Sequence, residues 1–278
     1  MSTYNDLLNE YKKVFDDKET LRAFLFELCN EYNIDLYLKK DEEADNRVKD
    51  RFILGVKELM YDKPLNYVLG YSYFYGYKMF VNNDVLIPRF ETEELVGLIL
   101  SKTDLEYANK EKIVLADVGT GSGAIAIALK KEEPKYEVYA SDISLKALEV
   151  AKKNAEYNKA DISFLEGSML EPLIEKNLKL DILVSNPPYI KNNEVLDNSV
   201  KDYEPHVALF GGSDGLKFYK DIFENALKIV NENGMLFFEM GYDLGNALKD
   251  LASQYFPKAN IEVLKDMNNK DRMLMIRL

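Results

Sequence analysis

Two short stretches carry residue types whose spacing can do chemistry. Asn186-Pro187-Pro188-Tyr189 follows the apolar run Asp181-Ile182-Leu183-Val184, so it leaves a strand at the C-terminal end, where open α/β sheets bind ligands. Its groups suit the holding of a planar, conjugated nitrogen. An amide or an aromatic exocyclic amine has a delocalised lone pair and is a poor nucleophile. The Asn186 side-chain oxygen and the Pro187 carbonyl can each accept one N–H, which fixes that nitrogen and enriches its electron density. Pro187 and Pro188 stiffen the loop so that the acceptors are already placed. Tyr189 offers a flat apolar face to the planar group. No strong general base is required, because the nitrogen becomes acidic once alkylated. The bland reading of these residues is a Pro-Pro loop with an Asn turn and a core tyrosine.

The second stretch is Asp117-Val118-Gly119-Thr120-Gly121-Ser122-Gly123, between the strand-like Ile113-Val114-Leu115 and the helical run Ala124-Ile125-Ala126-Ile127-Ala128. Glycines at alternate positions let the backbone turn sharply and approach a ligand closely. Asp142 ends the next strand, where a carboxylate can accept both hydroxyls of a ribose. The spacing is not the Gly-x-Gly-x-x-Gly of a dinucleotide site, and no Gly-Lys-Ser/Thr of a P-loop follows. Without a ligand the loop is only a tight strand-to-helix turn.

The loop resembles the first motif of the class I S-adenosylmethionine-dependent methyltransferases, in which the glycines face the amino-acid part of the cofactor. The resemblance implies S-adenosyl-L-methionine held by Gly119, Thr120, Gly121, Ser122, Gly123 and Asp142, with Ser168, Met169 and Asn186 completing its site. Ser168-Met169 stands where the family often has an Asp-aromatic pair beside the adenine. Ser168 can still hydrogen-bond an adenine amine, and Met169 can cover its face. Asn186, Pro187 and Tyr189 are then the candidate catalytic residues, and with Pro188 they are the candidate substrate contacts.

Patterning supplies the elements that must position these groups. Tyr4, Leu7, Leu8, Tyr11, Val14 and Phe15 recur at helical spacing, as do Leu21, Phe24, Leu25, Leu28 and Tyr32, with Thr20 as the expected N-cap of that second helix. Val48, Phe52, Val56, Leu59 and Met60 form a third stripe, and Pro64 opens a short helix that stops near Gly70. Residues 1–70 thus read as a small helical bundle. Residues 71–90 read as a linking β-hairpin turning around Asn82-Asn83-Asp84. From residue 91 strands alternate with helices, through Ile113–Leu115, Glu137–Ala140, Ile162–Phe164, Asp181–Val184 and Met235–Phe238. That alternation predicts a doubly wound, mostly parallel sheet over 91–278. Ile261–Leu264 and Leu274–Ile276 are separated only by a polar turn around Asn268-Asn269-Lys270, which predicts a closing antiparallel hairpin. A seven-stranded sheet ending in such a hairpin is the pattern of the class I family.

Asn-Pro-Pro-Tyr is shared by methyltransferases acting on DNA adenine, RNA guanine and protein glutamine, so other segments must separate them. Pro64-Leu65-Asn66-Tyr67-Val68-Leu69-Gly70, Phe74-Tyr75-Gly76 and Val85-Leu86-Ile87-Pro88-Arg89-Phe90-Glu91-Thr92-Glu93 resemble the release factor glutamine N5-methyltransferases. So do Tyr203-Glu204-Pro205, Ala208-Leu209-Phe210-Gly211-Gly212, Asp214-Gly215-Leu216, Glu239-Met240-Gly241 and Asp271-Arg272. The resemblance covers nearly the whole chain. It implies methylation of the glutamine in the Gly-Gly-Gln motif of peptide chain release factors, a step tied to translation termination, with residues 1–70 helping to dock that protein. Phe90 departs from the family, which usually has proline there.

Composition narrows the field. The 278 residues carry a formal net charge of −12, and hydrophobic residues make up 47%. An acidic surface suits a basic protein partner better than long nucleic acid, whose phosphates demand Lys and Arg. No apolar run can cross a bilayer and no signal peptide is visible, so the expectation is a cytoplasmic monomer. Cys29 is the single cysteine, which excludes intrachain disulfides and thiolate clusters, and no metal site is expected. Cys29 falls on an apolar helical stripe and reads as core. His206, the single histidine, reads as loop packing rather than catalysis. Arg89 and Glu91 either shape a pocket mouth or pair with each other. Two rivals share the motifs: a DNA or RNA exocyclic-amine methyltransferase, which should carry a basic target-recognition region, and a non-catalytic S-adenosylmethionine-binding module, which would tolerate erosion of Gly119, Gly121, Asp142 or Asn186.

Overall fold

A computed structural model describes residues 2–278. The chain divides into two units, one running to Tyr71 and taking in Asp197–Tyr203, the other comprising Ser72–Leu196 and Glu204–Leu278.

In the first unit, α1 (Tyr4–Tyr11), α2 (Lys18–Glu31), α4 (Asn46–Leu59) and α5 (Leu65–Leu69) follow the expected helices, while the short α3 (Leu36–Lys39), which buries no residue, carried no stripe to announce it. Leu21, Leu25, Leu28, Val48, Phe52 and Val56 are fully buried, and so is Cys29. The Phe24 and Phe52 rings stack at 5.5 Å. The N-cap of α2 is Asp17 rather than Thr20. Its carboxylate reaches the free N–H groups of Glu19 and Thr20, and a carboxylate there also complements the helix dipole. Val14 and Phe15 lie beyond the end of α1, so the first stripe outruns its helix.

The linking hairpin pairs β1 (Tyr71–Phe74) with β2 (Tyr77–Phe80). Its turn is Tyr75-Gly76, with φ of +52° and +80°, and not Asn82-Asn83-Asp84. Positive φ at both central residues is what a type I′ two-residue hairpin loop requires. The asparagine signal marks a different turn just past β2, where Asn82 Oδ1 accepts from the Asp84 N–H at 3.0 Å.

The larger unit continues through α6 (Phe90–Glu106), β3 (Ile113–Val118), α7 (Ala124–Glu132), β4 (Tyr136–Asp142), α8 (Leu145–Asn158), β5 (Ile162–Glu166), α9 (Glu171–Glu175) and β6 (Leu180–Ser185). After α10 (Asn198–Tyr203) come α11 (Lys217–Ile229), β7 (Val230–Glu239), α12 (Gly245–Tyr255), β8 (Asn260–Lys265) and β9 (Asp271–Arg277). Helix α10 falls within the stretch expected to be catalytic, yet it groups with the first unit, where the Tyr203 hydroxyl donates to the Tyr61 carbonyl at 2.6 Å.

The seven strands lie in the order β5-β4-β3-β6-β7-β9-β8. Pairings through β7 are parallel, and β9 is antiparallel to both of its neighbours. Alternate residues serve the two faces. Leu115, Ile182, Val184 and Phe237 join the core with Leu95, Ile99 and Ile127. Ala116, Leu183, Leu236 and Phe238 face Tyr219, Ile222, Phe223 and Leu248. Both faces are covered, so the central strands are apolar throughout, as buried parallel strands must be. The connection from β3 leaves toward β4 while β6 lies on its other side, which opens a topological switch point between β3 and β6.

Candidate functional site

Register alone aligns the candidate groups. Val118 lies opposite Ser141 on one side and Ser185 on the other, and Ser185 lies opposite Phe238. Gly119, Asp142, Asn186 and Glu239 are the next residues on four adjacent strands, so one row across the sheet's C-terminal edge holds them all.

Gly119, Gly121 and Gly123 have φ of +73°, +54° and +82°, a region that L side chains rarely adopt. The first two open onto free space, since a Cβ on either would meet nothing within 4 Å. Gly123 is different. It caps α7, and a Cβ there would press on Ala151 and Ile127 at 3.2 Å. Gly119 and Thr120 both donate to the Ser141 carbonyl, at 2.8 and 2.9 Å. The Asp142 carboxylate ties the loop to β4, accepting from the Gly121 N–H and the Ser144 N–H, each at 2.9 Å. Burial raises the Asp142 carboxyl above its ordinary value, while these backbone donors pull it back. Asp117, first residue of the motif, is fully buried. It accepts the Thr120 hydroxyl at 2.6 Å on one oxygen, while the other has no hydrogen-bond partner. Burial pushes this carboxyl up to about 7.

A cavity of about 360 Å³ lies above this row. Gly119, Thr120, Gly121, Ser122, Asp142, Ser168, Met169, Asn186 and Pro188 line it. Gly123, Pro187 and Tyr189 do not. Its volume falls in the range of small-molecule sites. The ribose-type acceptor, the two glycines facing free space and the mixed apolar lining fit S-adenosylmethionine.

The Asn-Pro-Pro-Tyr loop is clamped on its far side. Ile190 donates to the Leu209 carbonyl at 3.0 Å, and Gly211 donates back to the Ile190 carbonyl at 2.8 Å. A Cβ on Gly211 would lie 2.5 Å from the Pro188 oxygen and 2.8 Å from the Tyr189 Cα. Only glycine permits that backbone-on-backbone approach.

Beneath the loop is a polar network that patterning missed. The Thr92 hydroxyl donates to Glu239 Oε2 at 2.6 Å, and Asn186 Nδ2 donates to Thr92 Oγ1 at 3.3 Å. Tyr189 donates to Glu239 Oε1 at 3.4 Å. Glu239 is 2% exposed. Burial raises its carboxyl above the ordinary range, with a smaller push from the Glu91 charge, against the Thr92 hydroxyl, the nearby Arg272 charge and the Asn186 carboxamide, which also reaches this carboxyl. Burial and the Glu239 charge together push the Tyr189 phenol up. Thr92 and Glu239 are 147 positions apart, so no local signal joins them.

Arg89 pairs with buried Glu204 at 2.5 Å rather than with Glu91, and it also lines the cavity. His206 stacks edge-on with Phe210 at 5.7 Å and does not line it. Lys217, Phe218 and Asp221 of α11 do line it. They lie off the buried face of that helix, which Tyr219, Ile222, Phe223 and Ala226 carry, and no motif in the sequence singles them out. Among the described residues no cluster could hold a metal ion, and no helix is long and apolar enough to cross a membrane.

Comparison with known proteins finds relatives over most of the chain. The methyltransferase small domain family matches residues 98–203. The release factor glutamine methyltransferase of Bacillus subtilis (strain 168) is 46% identical over 213 residues, covering 76% of this chain and 74% of that protein. The protein of the same name from Flavobacterium psychrophilum is 39% identical over 270 residues, covering 95% and 93%. Among solved structures, the N-terminal domain of human METTL16 in complex with SAH superposes with a TM-score of 0.51 at 18% identity, covering 73% of this chain and 76% of that one.

Proposed function

Because the chain belongs to the release factor glutamine methyltransferase family, we propose that its cavity at the β3–β6 switch point is where the side-chain amide nitrogen (N5) of a release-factor glutamine, in the Gly-Gly-Gln motif, is methylated. The cofactor is S-adenosyl-L-methionine, which when bound supplies an electrophilic methyl on a sulfonium. Gly119 and Gly121 admit it closely to the backbone, Asp142 accepts its ribose hydroxyls, and Ser168 and Met169 flank its adenine. Asn186 Oδ1, at the cavity wall, accepts one N–H of the target amide, and the Pro187 carbonyl, which lies behind that wall, accepts the other when the substrate enters. Those two acceptors restrict the nitrogen's rotation and aim its lone pair, and they stabilise the positive charge that develops on it. Tyr189 and Pro188 hold the loop's shape around them.

The observation that carries this reading is the single row of Gly119, Asp142 and Asn186 across adjacent strands. It brings the residues assigned to cofactor and to acceptor together on one edge. Replacing Asn186 by alanine tests it. Single-turnover methylation of a release factor, followed by mass spectrometry of its Gly-Gly-Gln peptide, should slow by about a hundredfold or more. Cofactor affinity by calorimetry should hold. Near-normal transfer by this variant would sink the assignment.

Residues 1–70 dock the substrate protein in this scheme, and the enzyme acts as a cytoplasmic monomer. Support comes from a groove within the helical unit lined by Asp16, Asp17, Asp62 and Asp197, with Lys63 as its single cation. A basic release-factor surface complements it. Asp16→Lys with Asp197→Lys should raise the KM for release factor and leave kcat in place; an unchanged KM would remove the docking role. Sedimentation of the purified enzyme tests the monomer.

A further inference from the structure

Asn186 can present its carboxamide in two ways, and only one is productive. A flip about the last side-chain bond barely changes its shape but exchanges an acceptor oxygen for a donor NH2. With the nitrogen toward the cavity, donor would meet donor at the target amide. The residues beneath the loop decide between the two. Thr92 has one hydroxyl proton, and Glu239 Oε2 takes it at 2.6 Å. Both Glu239 oxygens act as acceptors, Oε2 from Thr92 and Oε1 from Tyr189, so the carboxyl returns no proton to Thr92. Toward Asn186, Thr92 therefore offers only lone pairs, and it receives the Nδ2–H at 3.3 Å. Glu239 is in turn fixed by its surroundings. It is buried, its other oxygen accepts from Tyr189, and its backbone carbonyl accepts the Tyr219 hydroxyl at 2.6 Å.

We propose that Thr92 and Glu239 are positioning residues for methyl transfer, a relay that locks the Asn186 carboxamide with its oxygen facing the acceptor amide. Glu239 does not line the cavity, and Thr92, which does, has its hydroxyl engaged by Glu239 and Asn186. Both act through Asn186, so the proposal rests on the role assigned to Asn186 above. The relay also explains a pairing that local structure does not require: a threonine in the first turn of α6 held to a carboxylate at the end of β7. A threonine there meets no capping need, since the α6 N-cap is Arg89 and makes no side-chain cap bond.

The test uses full-length enzyme and intact release factor. Thr92→Val removes the hydroxyl at nearly constant volume, and Thr92→Ser keeps it. The single-turnover rate of the valine variant should fall by about tenfold or more, as expected for losing control of a polarising hydrogen bond. Cofactor affinity should change by less than about twofold, because the lost interaction is felt in transfer and not in cofactor binding. The serine variant should stay within about threefold of wild type, since it retains the donor and acceptor. In an Asn186→Ala background, Thr92→Val should cost nothing further, because the residue it positions is gone. Wild-type rate in the valine variant overturns the proposal. So does an equal loss in the serine variant, which also decides the matter if the valine variant fails to fold. An undiminished valine penalty in the Asn186→Ala background overturns it as well, by showing that Thr92 acts elsewhere. A near-normal Asn186→Ala enzyme would be a separate failure, that of the Asn186 assignment itself.

Discussion

The ligand-free enzyme should be more stable in mild acid than at neutral pH, and Asp117 should be the main reason. Its carboxyl is fully buried, and only the Thr120 hydroxyl and the Ala126 backbone N–H oppose the effect of that burial. Burial lifts it from an ordinary value of 3.8 to about 7. A carboxyl raised in the folded state binds its proton more tightly there than in the unfolded chain. The resulting stabilisation is complete below 3.8 and is lost as pH climbs through 7. A shift of this size corresponds to about 4 kcal/mol in all, with a slope approaching ~1.4 kcal/mol per pH unit between the two values. That is a large part of the ~5–15 kcal/mol holding a typical domain folded. Asp117→Asn is neutral throughout, so urea unfolding between pH 5 and 8.5 should show most of this slope in wild type and little in the variant. Asp142 and Glu239 are also raised by burial; Glu239 is common to both proteins and cancels in the difference, while Asp142, whose charge also raises Asp117, contributes a smaller remainder. The measured quantity is the slope, so a lower absolute stability of the variant does not disturb it. Equal slopes in the two proteins would refute the argument.

Asp142→Ala should weaken S-adenosylmethionine binding by ten- to a hundredfold, from lost ribose hydrogen bonds worth roughly 1.5–3 kcal/mol. Unchanged affinity in calorimetry would mean that the ribose lies elsewhere. Gly211→Ala forces its methyl against the Pro188 oxygen and Tyr189 Cα; transfer should slow by about tenfold or more through loop displacement, with cofactor affinity nearly intact. A wild-type single-turnover rate would show that the loop tolerates the shift. Cys29 is fully buried, and burial pushes its thiol up to about 11. It should resist alkylation at pH 8 in the native protein and react once denaturant is added, which mass spectrometry can follow.

Periodicity made most of the architecture legible because the driving force is burial. Strands such as Ile182-Leu183-Val184 must be apolar on both faces, and helices such as α4 on one, so their patterns announce them. Boundaries set by polar competition were less legible. Asp17 and Thr20 are both competent caps three residues apart, and the carboxylate wins because it reaches two backbone donors. Asn82-Asn83-Asp84 does make a turn, but the hairpin turns at Tyr75, whose positive φ no tyrosine advertises. The same division holds at the site. Glycine loop and tetrapeptide are contiguous and carry their own geometry, whereas Thr92, Glu204 and Glu239 acquire meaning only from partners more than a hundred residues away. A lone threonine on a helix reads as a solvated hydroxyl until the fold brings a carboxylate to it.

The placement of β9 between β7 and β8 has a consequence for how the chain is made. During synthesis β8 emerges before β9, yet its only partner in the sheet is β9. Whatever the rate of synthesis, β8 has no partner strand until β9 is in place. Over that interval the parallel strands can assemble, but β7 carries an open edge along Phe237 and Phe238. Leu274 and Ile276, both fully buried, close that edge and recruit β8 in one event. The half of the sheet beside Glu239 is therefore the last to set, and the site gains its far wall only once β9 has paired with β7.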